Sequence, residues 1–230
     1  MRRKHHRMSK PTGDAAARYE RLSHSGTTWF DLMPTPANGT DGTIGAAFTW
    51  PQFNGESFVD LGAPAKLDFA GAFTLCVWGN MDIVSPPVQG NEAMIYKGGR
   101  NDPGAQNVFM AIADTNGQVT AAIYKTGYTP IQSGASFGGA WRYFVFVNEG
   151  VGGDLKLFID GALEQTNVGG GGSTTMTGTI PWYFGRTHAQ GALATQDFYQ
   201  GLMDTGRFYS RALSADEILR DYHAGKPAHQ

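Results

Sequence analysis

Short segments in which apolar and polar residues alternate, separated by turn signals, run along most of this chain. Alternation with a period of two is typical of β-strands that are buried on one face. The dipeptides Asn116-Gly117 and Asp160-Gly161 favour tight turns between antiparallel strands. Residues 141–147 carry apolar side chains on both faces, which predicts a central strand covered on both sides. About a dozen such strands and one late helix predict an all-β sandwich or jelly roll.

The predicted strands extend from residue 27 to residue 209. They cover residues 27–31, 58–61, 72–80, 92–97, 107–113, 118–124, 141–147, 155–160, 162–166, 180–185 and 198–209. Residues 34–45 are expected to form a loop because Pro, Asn, Gly and Asp are frequent there. The sequence shows no internal repeat and no linker, so we expect a single folded domain.

One helix is predicted near the end of the chain. Ser214-Ala-Asp-Glu217 has the spacing of a capping box, in which the Ser and Glu side chains satisfy free amides at a helix start. Its apolar stripe would consist of Ile218, Leu219 and Tyr222. Gly225 is expected to end the helix, because glycine favours the position just after the last turn.

The composition supports a packed core, with 41% hydrophobic and 17% charged residues. The single cysteine, Cys76, lies in an apolar run, so we expect a buried, unreactive thiol. One cysteine forms no internal disulfide, and no Cys/His cluster has zinc-site spacing.

Charge is unevenly distributed along the chain, although the formal net charge is only −2. Residues 1–22 carry seven Lys or Arg and two acidic side chains, whereas residues 23–230 carry eleven and eighteen. We therefore predict a basic N-terminal arm at residues 1–22 and a folded domain at residues 23–230. The arm would attach to an acidic partner, and a flexible segment without a role is the alternative. Its first cationic side chains are Arg2, Arg3, Lys4, Arg7 and Lys10.

The first ten residues are basic, and no apolar stretch of the kind found in secretory signal peptides follows them. No segment of the sequence is apolar for long enough to span a bilayer. We therefore expect a protein that does not use the secretory route and has no membrane partner.

Four motifs resemble those of one known family. They are Asn54–Gly62, Phe73–Trp78, Trp141–Gly161 and Gly201–Ile218. In this order they are similar to motifs of the laminin-G-like branch of the concanavalin A-like lectin/glucanase superfamily, over roughly residues 26–225. The resemblance implies a single two-sheet antiparallel sandwich with jelly-roll topology and one short C-terminal helix. The superfamily holds lectins, adhesion modules, hydrolases and lyases, so this fold alone does not define a function.

Sequence motifs for catalysis are missing. Laminarinase-type glucanases of the superfamily use an E-x-D-x-x-E strand, which places carboxylates on one face. The chain has six glutamates, and none is followed two residues later by an aspartate. Motifs of zinc proteases, P-loop proteins and serine hydrolases are also missing. We therefore predict a protein that is not an enzyme.

Candidate carbohydrate contacts are exposed aromatic and planar polar side chains around a cleft, and Tyr128 is expected in a loop. They are Arg100, Asp102, Tyr128, Trp182 and His188. Burial in the core is the alternative for Trp182, because tryptophan is equally suited to both environments. For His188 the alternative is a solvated loop histidine.

The resemblance also implies a structural calcium ion, because laminin-G-like sandwiches often bind calcium near the first strand and the last motif. Asp31 and Asp204 occupy the matching positions, and Asn38 would add a carbonyl oxygen. Flexible, oxygen-rich loops suit calcium. The alternative is that Asp204 only hydrogen-bonds backbone in a turn.

From these features we predict a non-enzymatic, lectin-like module of a large assembly. The favoured assembly is a phage virion, with the chain as a decoration, tail or fibre component on the virion surface that binds host or environmental glycans. Other virion proteins would be partners through the arm, and nucleic acid only if the arm faces an interior. The alternatives are a structural cement protein without glycan binding, a degenerate glycoside hydrolase or polysaccharide lyase, and a cytoplasmic location.

Overall fold

The chain folds into antiparallel β-strands and one α-helix, as a computed structural model shows. The structure describes residues 17–25, 28–31, 39–41, 52–54, 58–81, 92–97, 107–113, 117–124, 128–172, 181–186 and 199–229. Within these residues the strands are β1 (Ala17–Ser25), β2 (Thr28–Asp31), β3 (Gly39–Asp41), β4 (Gln52–Asn54), β5 (Val59–Gly62), β6 (Phe73–Met81), β7 (Glu92–Lys97), β8 (Asn107–Ala113), β9 (Gln118–Tyr124), β10 (Tyr128–Ser136), β11 (Trp141–Asn148), β12 (Leu155–Ile159), β13 (Ala162–Asn167), β14 (Trp182–Phe184) and β15 (Gln200–Tyr209). The helix α1 spans Ala215–Gly225, and short 3-10 turns cover Ala65–Leu67 and Lys226–Ala228.

The strands form one hydrogen-bonded path that folds back into two packed layers. Their order is β10-β9-β8-β7-β14-β5-β3-β2-β1-β15-β6-β11-β12-β13, and β4 pairs with β15. Side chains from the β10-to-β5 layer and the β15-to-β13 layer share the main core. Trp182 of β14 meets Phe208 of β15 edge to face across it, with ring centroids 5.2 Å apart. The predicted two-sheet sandwich is therefore confirmed.

A second, smaller core lies on the outer face of β6, β11, β12 and β15. In β11, Phe144 and Phe146 face the main core, whereas Tyr143 and Val145 face away from it. These outward side chains pack beneath α1, which contributes Ile218 to the same cluster. The strand β11 is thus covered on both faces, as the apolar residues on both of its faces predict.

Two turn and cap signals of the sequence are confirmed. Asp160 and Gly161 have φ values of 53° and 81°, as a two-residue hairpin turn between β12 and β13 requires. The Ser214 hydroxyl accepts a hydrogen bond from the Glu217 amide, and the Glu217 carboxylate accepts one from the Ser214 amide. In the part of the chain that the structure describes, no helix has the length and apolar character needed to cross a membrane.

Gly225 has a different role from the predicted one. It lies inside α1 with φ −87°, and the cap residue is Lys226. A Cβ at position 225 would lie 2.5 Å from Trp78 Nε1. Glycine is therefore needed because the helix backbone lies directly against the indole, and not because the chain turns there.

The folded domain begins earlier than the charge pattern predicts. Residues 17–22, assigned to the arm, belong to β1, where Tyr19 pairs with Gly206 of β15 and with Asp31 of β2. Gly39–Asp41, inside the predicted loop 34–45, likewise forms β3. Charge composition does not reveal such pairing with distant strands, and residues 17–22 belong to the sheet and not to the arm.

The segment that begins at Tyr128 is a strand and not a loop. It forms β10, an edge strand whose sheet neighbour is β9. Pro130, opposite Ala122, lacks a backbone N–H and suits an edge strand, which has one side without ladder hydrogen bonds. The strand was not predicted because the nearby Gly and Pro residues favour turns.

Candidate functional site

The helix α1 and the residues that follow it seal the outer face of one layer. His229 lies over Trp78, and its Nε2 is 2.9 Å from Asp204 Oδ2. Its Nδ1 is 2.8 Å from the Gly225 carbonyl oxygen, which only accepts, so Nδ1 donates. Trp141 meets the imidazole edge to face at 4.9 Å. This covered face leaves no sugar-sized platform over Trp78.

A buried polar cluster lies in the same layer. Arg207 Nη1 is 3.5 Å from Asp221 Oδ2 of α1, and the Tyr209 hydroxyl donates to that oxygen at 3.0 Å. Burial raises the pKa of the neighbouring Cys76 thiol to about 12, which keeps it protonated. The predicted unreactive thiol is thus placed in a core, and the cluster serves to hold α1 on the sheet.

Asp31 and Asp204, the two predicted calcium ligands, lie in β2 and β15, on either side of β1. Asp204 is opposite Trp78, on the outer face, whereas Gly206 is opposite Val77, on the inner face, because β15 has an irregularity between them. Position 31 is opposite Tyr19, which is opposite Gly206 of β15.

Asp204 is instead engaged by His229, in a strand and not in a turn. Asn38 lies outside the described residues. Among those residues no group of three or more His, Cys, Asp or Glu side chains is placed to hold a metal ion. The calcium site therefore stays a prediction, because the Asp31 side chain and Asn38 lie outside the described residues, and we derive no role for the ion.

Trp182 is a core residue and offers no surface to a ligand. Its side chain is fully buried, and its Nε1 donates to the Leu67 carbonyl oxygen at 3.2 Å. Lys97 Nζ lies 5.6 Å from the indole centroid and pairs with Asp68 at 2.7 Å. The burial alternative for Trp182 is therefore the correct one.

The segments that carry Arg100, Asp102 and His188 lie outside the described residues, and so do the side chain of Tyr128 and the arm residues Arg2, Arg3, Lys4, Arg7 and Lys10. The described strand ends show where these segments attach. β7 and β14 are antiparallel, with Trp182 opposite Lys97 and Phe184 opposite Ile95. Lys97 and Arg186 therefore lie at opposite ends of this strand pair. They are the described residues from which the segments with Arg100 and His188 continue.

A cluster that sequence reasoning missed lies on the outer face of the other layer. The Arg186 guanidinium carbon is 3.7 Å from the Phe58 ring centroid and 4.4 Å from that of Tyr183. The two rings are 6.0 Å apart and inclined by 74°. We call these three residues the aromatic wedge. Asp60 of β5 lies beside it, because the register places it opposite Tyr183.

Electrostatics in the wedge are set by burial and by two charges. Burial raises the pKa of the Tyr183 hydroxyl, the Asp60 charge raises it further, and Arg186 opposes the shift. Tyr183 therefore remains a neutral hydroxyl that can donate and accept. Phe58, Asp60 and Arg186 are half-buried, so the wedge is reached from solvent.

The sequence signal for the wedge was present but incomplete. Arg186 belongs to Gly185-Arg-Thr-His188, the segment that contains the predicted carbohydrate contact His188. Phe58 and Asp60 lie in the family-like motif Asn54–Gly62, where the sequence predicts only a strand. Their proximity to Arg186 depends on the pairing of β5 with β14, which are far apart in sequence.

Glutamates with described side chains are engaged in structural contacts. Glu149 pairs with Lys156, and Glu217 pairs with Arg211 at 2.8 Å. Glu164 accepts a hydrogen bond from the Gly134 amide at 3.2 Å. All three carboxylates are therefore occupied by contacts within the fold.

Comparison with known proteins agrees with this fold. A laminin G family model, described as the concanavalin A-like lectin/glucanases superfamily, matches residues 53–219. A comparison with curated proteins gives no match.

Three similar solved structures illustrate the likeness. Domain 4 of a GH43 extracellular arabinanase from Geobacillus stearothermophilus, in complex with arabinotriose, has a TM-score of 0.63 and 14% identity, over 91% of this chain and 98% of that one. The CBM40 of the Ruminococcus gnavus IT-sialidase, bound to α2,3-sialyllactose, has a TM-score of 0.56 and 16% identity, over 69% and 86%. The binding domain of Paraclostridial Mosquitocidal Protein 1 has a TM-score of 0.66 and 13% identity, over 91% and 52%. At these identities the likeness shows the β-sandwich fold, and with the matched family model it establishes that this chain belongs to the concanavalin A-like lectin/glucanase superfamily.

Proposed function

We propose that this chain is a non-catalytic, lectin-like module that binds glycans on the outer face of β5 and β14. The observation that carries the proposal is the aromatic wedge, which combines half-exposed aromatic surface with planar polar groups. Sugars are bound by aromatic rings against their apolar faces and by planar polar side chains that hydrogen-bond their hydroxyls. Phe58, Arg186 and Asp60 supply both kinds of group.

The similar structures support this function. The arabinanase domain was solved with arabinotriose and the sialidase CBM40 with α2,3-sialyllactose, and the toxin structure is a binding domain. Two further features favour binding over catalysis. The described glutamates Glu149, Glu164 and Glu217 are each engaged, and α1 covers the outer face of the opposite layer.

The test is binding of a broad glycan panel by the wild type and by Phe58→Ala. We expect the variant to lose most of the binding, whereas Leu163→Ala, at an exposed apolar position on β13, keeps it. Product analysis with the same glycans is expected to show no cleavage. Wild-type protein that binds no glycan, or turnover that one carboxylate substitution abolishes, would overturn the proposal.

We also propose, as a second function, attachment of the domain to a larger assembly such as a phage virion. The excess of positive charge in residues 1–22 supports it. Since β1 begins at Ala17, removal of residues 1–16 should leave the sheet intact. We expect this truncation to leave the melting temperature unchanged and to abolish incorporation into the parent assembly. Normal incorporation of the truncated chain would contradict the attachment role.

A further inference from the structure

Arg186 carries a positive charge that no carboxylate of the described residues neutralises. Its guanidinium contacts the rings of Phe58 and Tyr183, and no ion pair joins it to an acidic side chain in that part of the chain. Its Nε is buried and has no hydrogen-bond partner. Arginine remains charged at all ordinary pH values, so this charge is partly removed from water without an anion to balance it.

The nearest acidic position does not fill this role. Asp60 lies opposite Tyr183 in the sheet, and its Oδ1 accepts the Gly62 amide hydrogen at 2.7 Å. It makes no ion pair with Arg186. By contrast, Arg142, Lys97 and Arg211 each pair with a carboxylate. Arg186 thus differs from these three side chains.

We propose that Arg186 binds the carboxylate of an acidic sugar, an inference that rests on the glycan-binding function proposed above. The rings of Phe58 and Tyr183 shield the guanidinium from water, and its N–H donors lie in one plane, where they match the two oxygens of a carboxylate. Asp60, which only accepts when ionised, suits a sugar hydroxyl. A sugar that carries both a carboxylate and hydroxyls complements the pair.

Sialic acids and uronic acids share this chemistry, so the test includes both. The probes are α2,3-sialyllactose with lactose as its neutral counterpart, and trigalacturonic acid with its methyl ester. A third acidic probe, lactose 3′-sulfate, carries a tetrahedral anion instead of a planar one. Calorimetry with the wild-type protein is expected to give at least about tenfold tighter binding for one carboxylate probe than for its neutral counterpart, as charge-assisted hydrogen bonds imply.

Two substitutions connect the preference to Arg186. Arg186→Gln removes the charge and is expected to abolish the difference between the acidic and the neutral probe. Arg186→Lys keeps the charge but loses the planar arrangement of donors, so it should weaken carboxylate binding about tenfold. Arg220→Gln, at an exposed position on α1, is the matched control and should behave as the wild type. Melting curves confirm that each variant is folded.

The outcomes separate this inference from the broader function. Equal affinity for acidic and neutral probes, or an acidic preference that survives Arg186→Gln, overturns the carboxylate site and leaves glycan binding intact. Tighter binding of the sulfate than of both carboxylates overturns the planar-anion assignment. If none of these probes binds, the carboxylate site is wrong, and the glycan panel decides the broader proposal separately. If Arg186→Gln does not fold, the affinities of the wild-type protein for each acidic probe and for its neutral counterpart still decide whether the site prefers a carboxylate.

Discussion

His229 lies flat against Trp78, with ring centroids 4.1 Å apart and an angle of 3° between the ring planes. The same indole stacks on Tyr143 at 5.2 Å and on Tyr222 of α1 at 5.8 Å. Trp78 therefore connects strands β6 and β11 with the helix and with the residues after it. The contact explains how an outer sheet face is sealed by a short segment near the C-terminus.

Replacement of His229 by Ala is expected to lower the free energy of unfolding by about 3 kcal/mol. The variant loses the ring stack and removes the imidazole that contacts the buried Asp204 carboxylate. Chemical denaturation measures the change. His223→Ala, at an exposed position of α1, is the control and should change stability by less than about 0.5 kcal/mol. Equal effects of the two substitutions would contradict the assigned role of His229.

Asp221→Ala is expected to destabilise the protein by about 3–5 kcal/mol, because it leaves the buried Arg207 charge without its partner. The double variant Arg207→Met/Asp221→Leu should recover most of that loss, since apolar side chains of similar volume can replace a buried ion pair. Urea unfolding of both variants tests the coupling. A double variant as unstable as Asp221→Ala would show that the ion pair is not the source of the effect.

Gly225→Ala should destabilise the protein by about 1–3 kcal/mol, because the added Cβ would lie 2.5 Å from Trp78 Nε1. Gly71→Ala is the matched control, because no atom lies within 4 Å of a Cβ built there. Melting temperatures of the two variants are compared with the wild type. The packing explanation for Gly225 requires that only the first variant loses stability.

Acid should weaken the start of α1 through Glu217. Hydrogen bonds from Arg211 and the Ser214 amide lower the Glu217 pKa from 4.5 to about 2. Because the folded-state pKa is the lower one, the stabilisation is complete above about pH 4.5 and is lost as the pH falls towards 2. Its size is about 1 kcal/mol or less, since this pair is partly exposed to solvent. Unfolding free energies of Glu217→Gln should vary less over this interval than those of the wild type.

Cys76 should resist thiol reagents in the native protein. Burial raises the pKa of its thiol to about 12, so the reactive thiolate is scarce at mildly alkaline pH and is also inaccessible. Labelling is expected to follow unfolding in denaturant. Rapid stoichiometric labelling under native conditions would contradict the burial of this side chain.

Local patterns in the sequence predicted much of the sandwich. The strands β7, β8 and β9 have the predicted bounds, and the Asp160-Gly161 turn has the expected backbone angles. These features depend on side-chain alternation and on turn residues, which act over a few positions. The strands β1 and β10 were missed because charge and Gly/Pro content obscured segments that form strands only by pairing with others.

The candidate site was predicted less well, because its residues come from separate strands. Trp182 was a plausible ligand contact by type, but the structure buries it between Phe69 and Phe208. Asp204 was assigned to calcium by motif, and the structure adds that an irregularity in β15 turns it to the outer face, where His229 contacts it. Neither result follows from the identity of the residue alone.

The sequence by itself determined the fold class, the bounds of β7, β8 and β9, the α1 capping box and the family. Each of these depends on interactions between residues that are close along the chain, or on motifs in a fixed order. Only the tertiary structure decided which side chains meet, since β5 and β14, which carry Asp60 and Tyr183, are brought together by pairing over more than a hundred residues. The placement of Arg186 against two aromatic rings, without an acidic partner in the described structure, is a consequence of that long-range pairing.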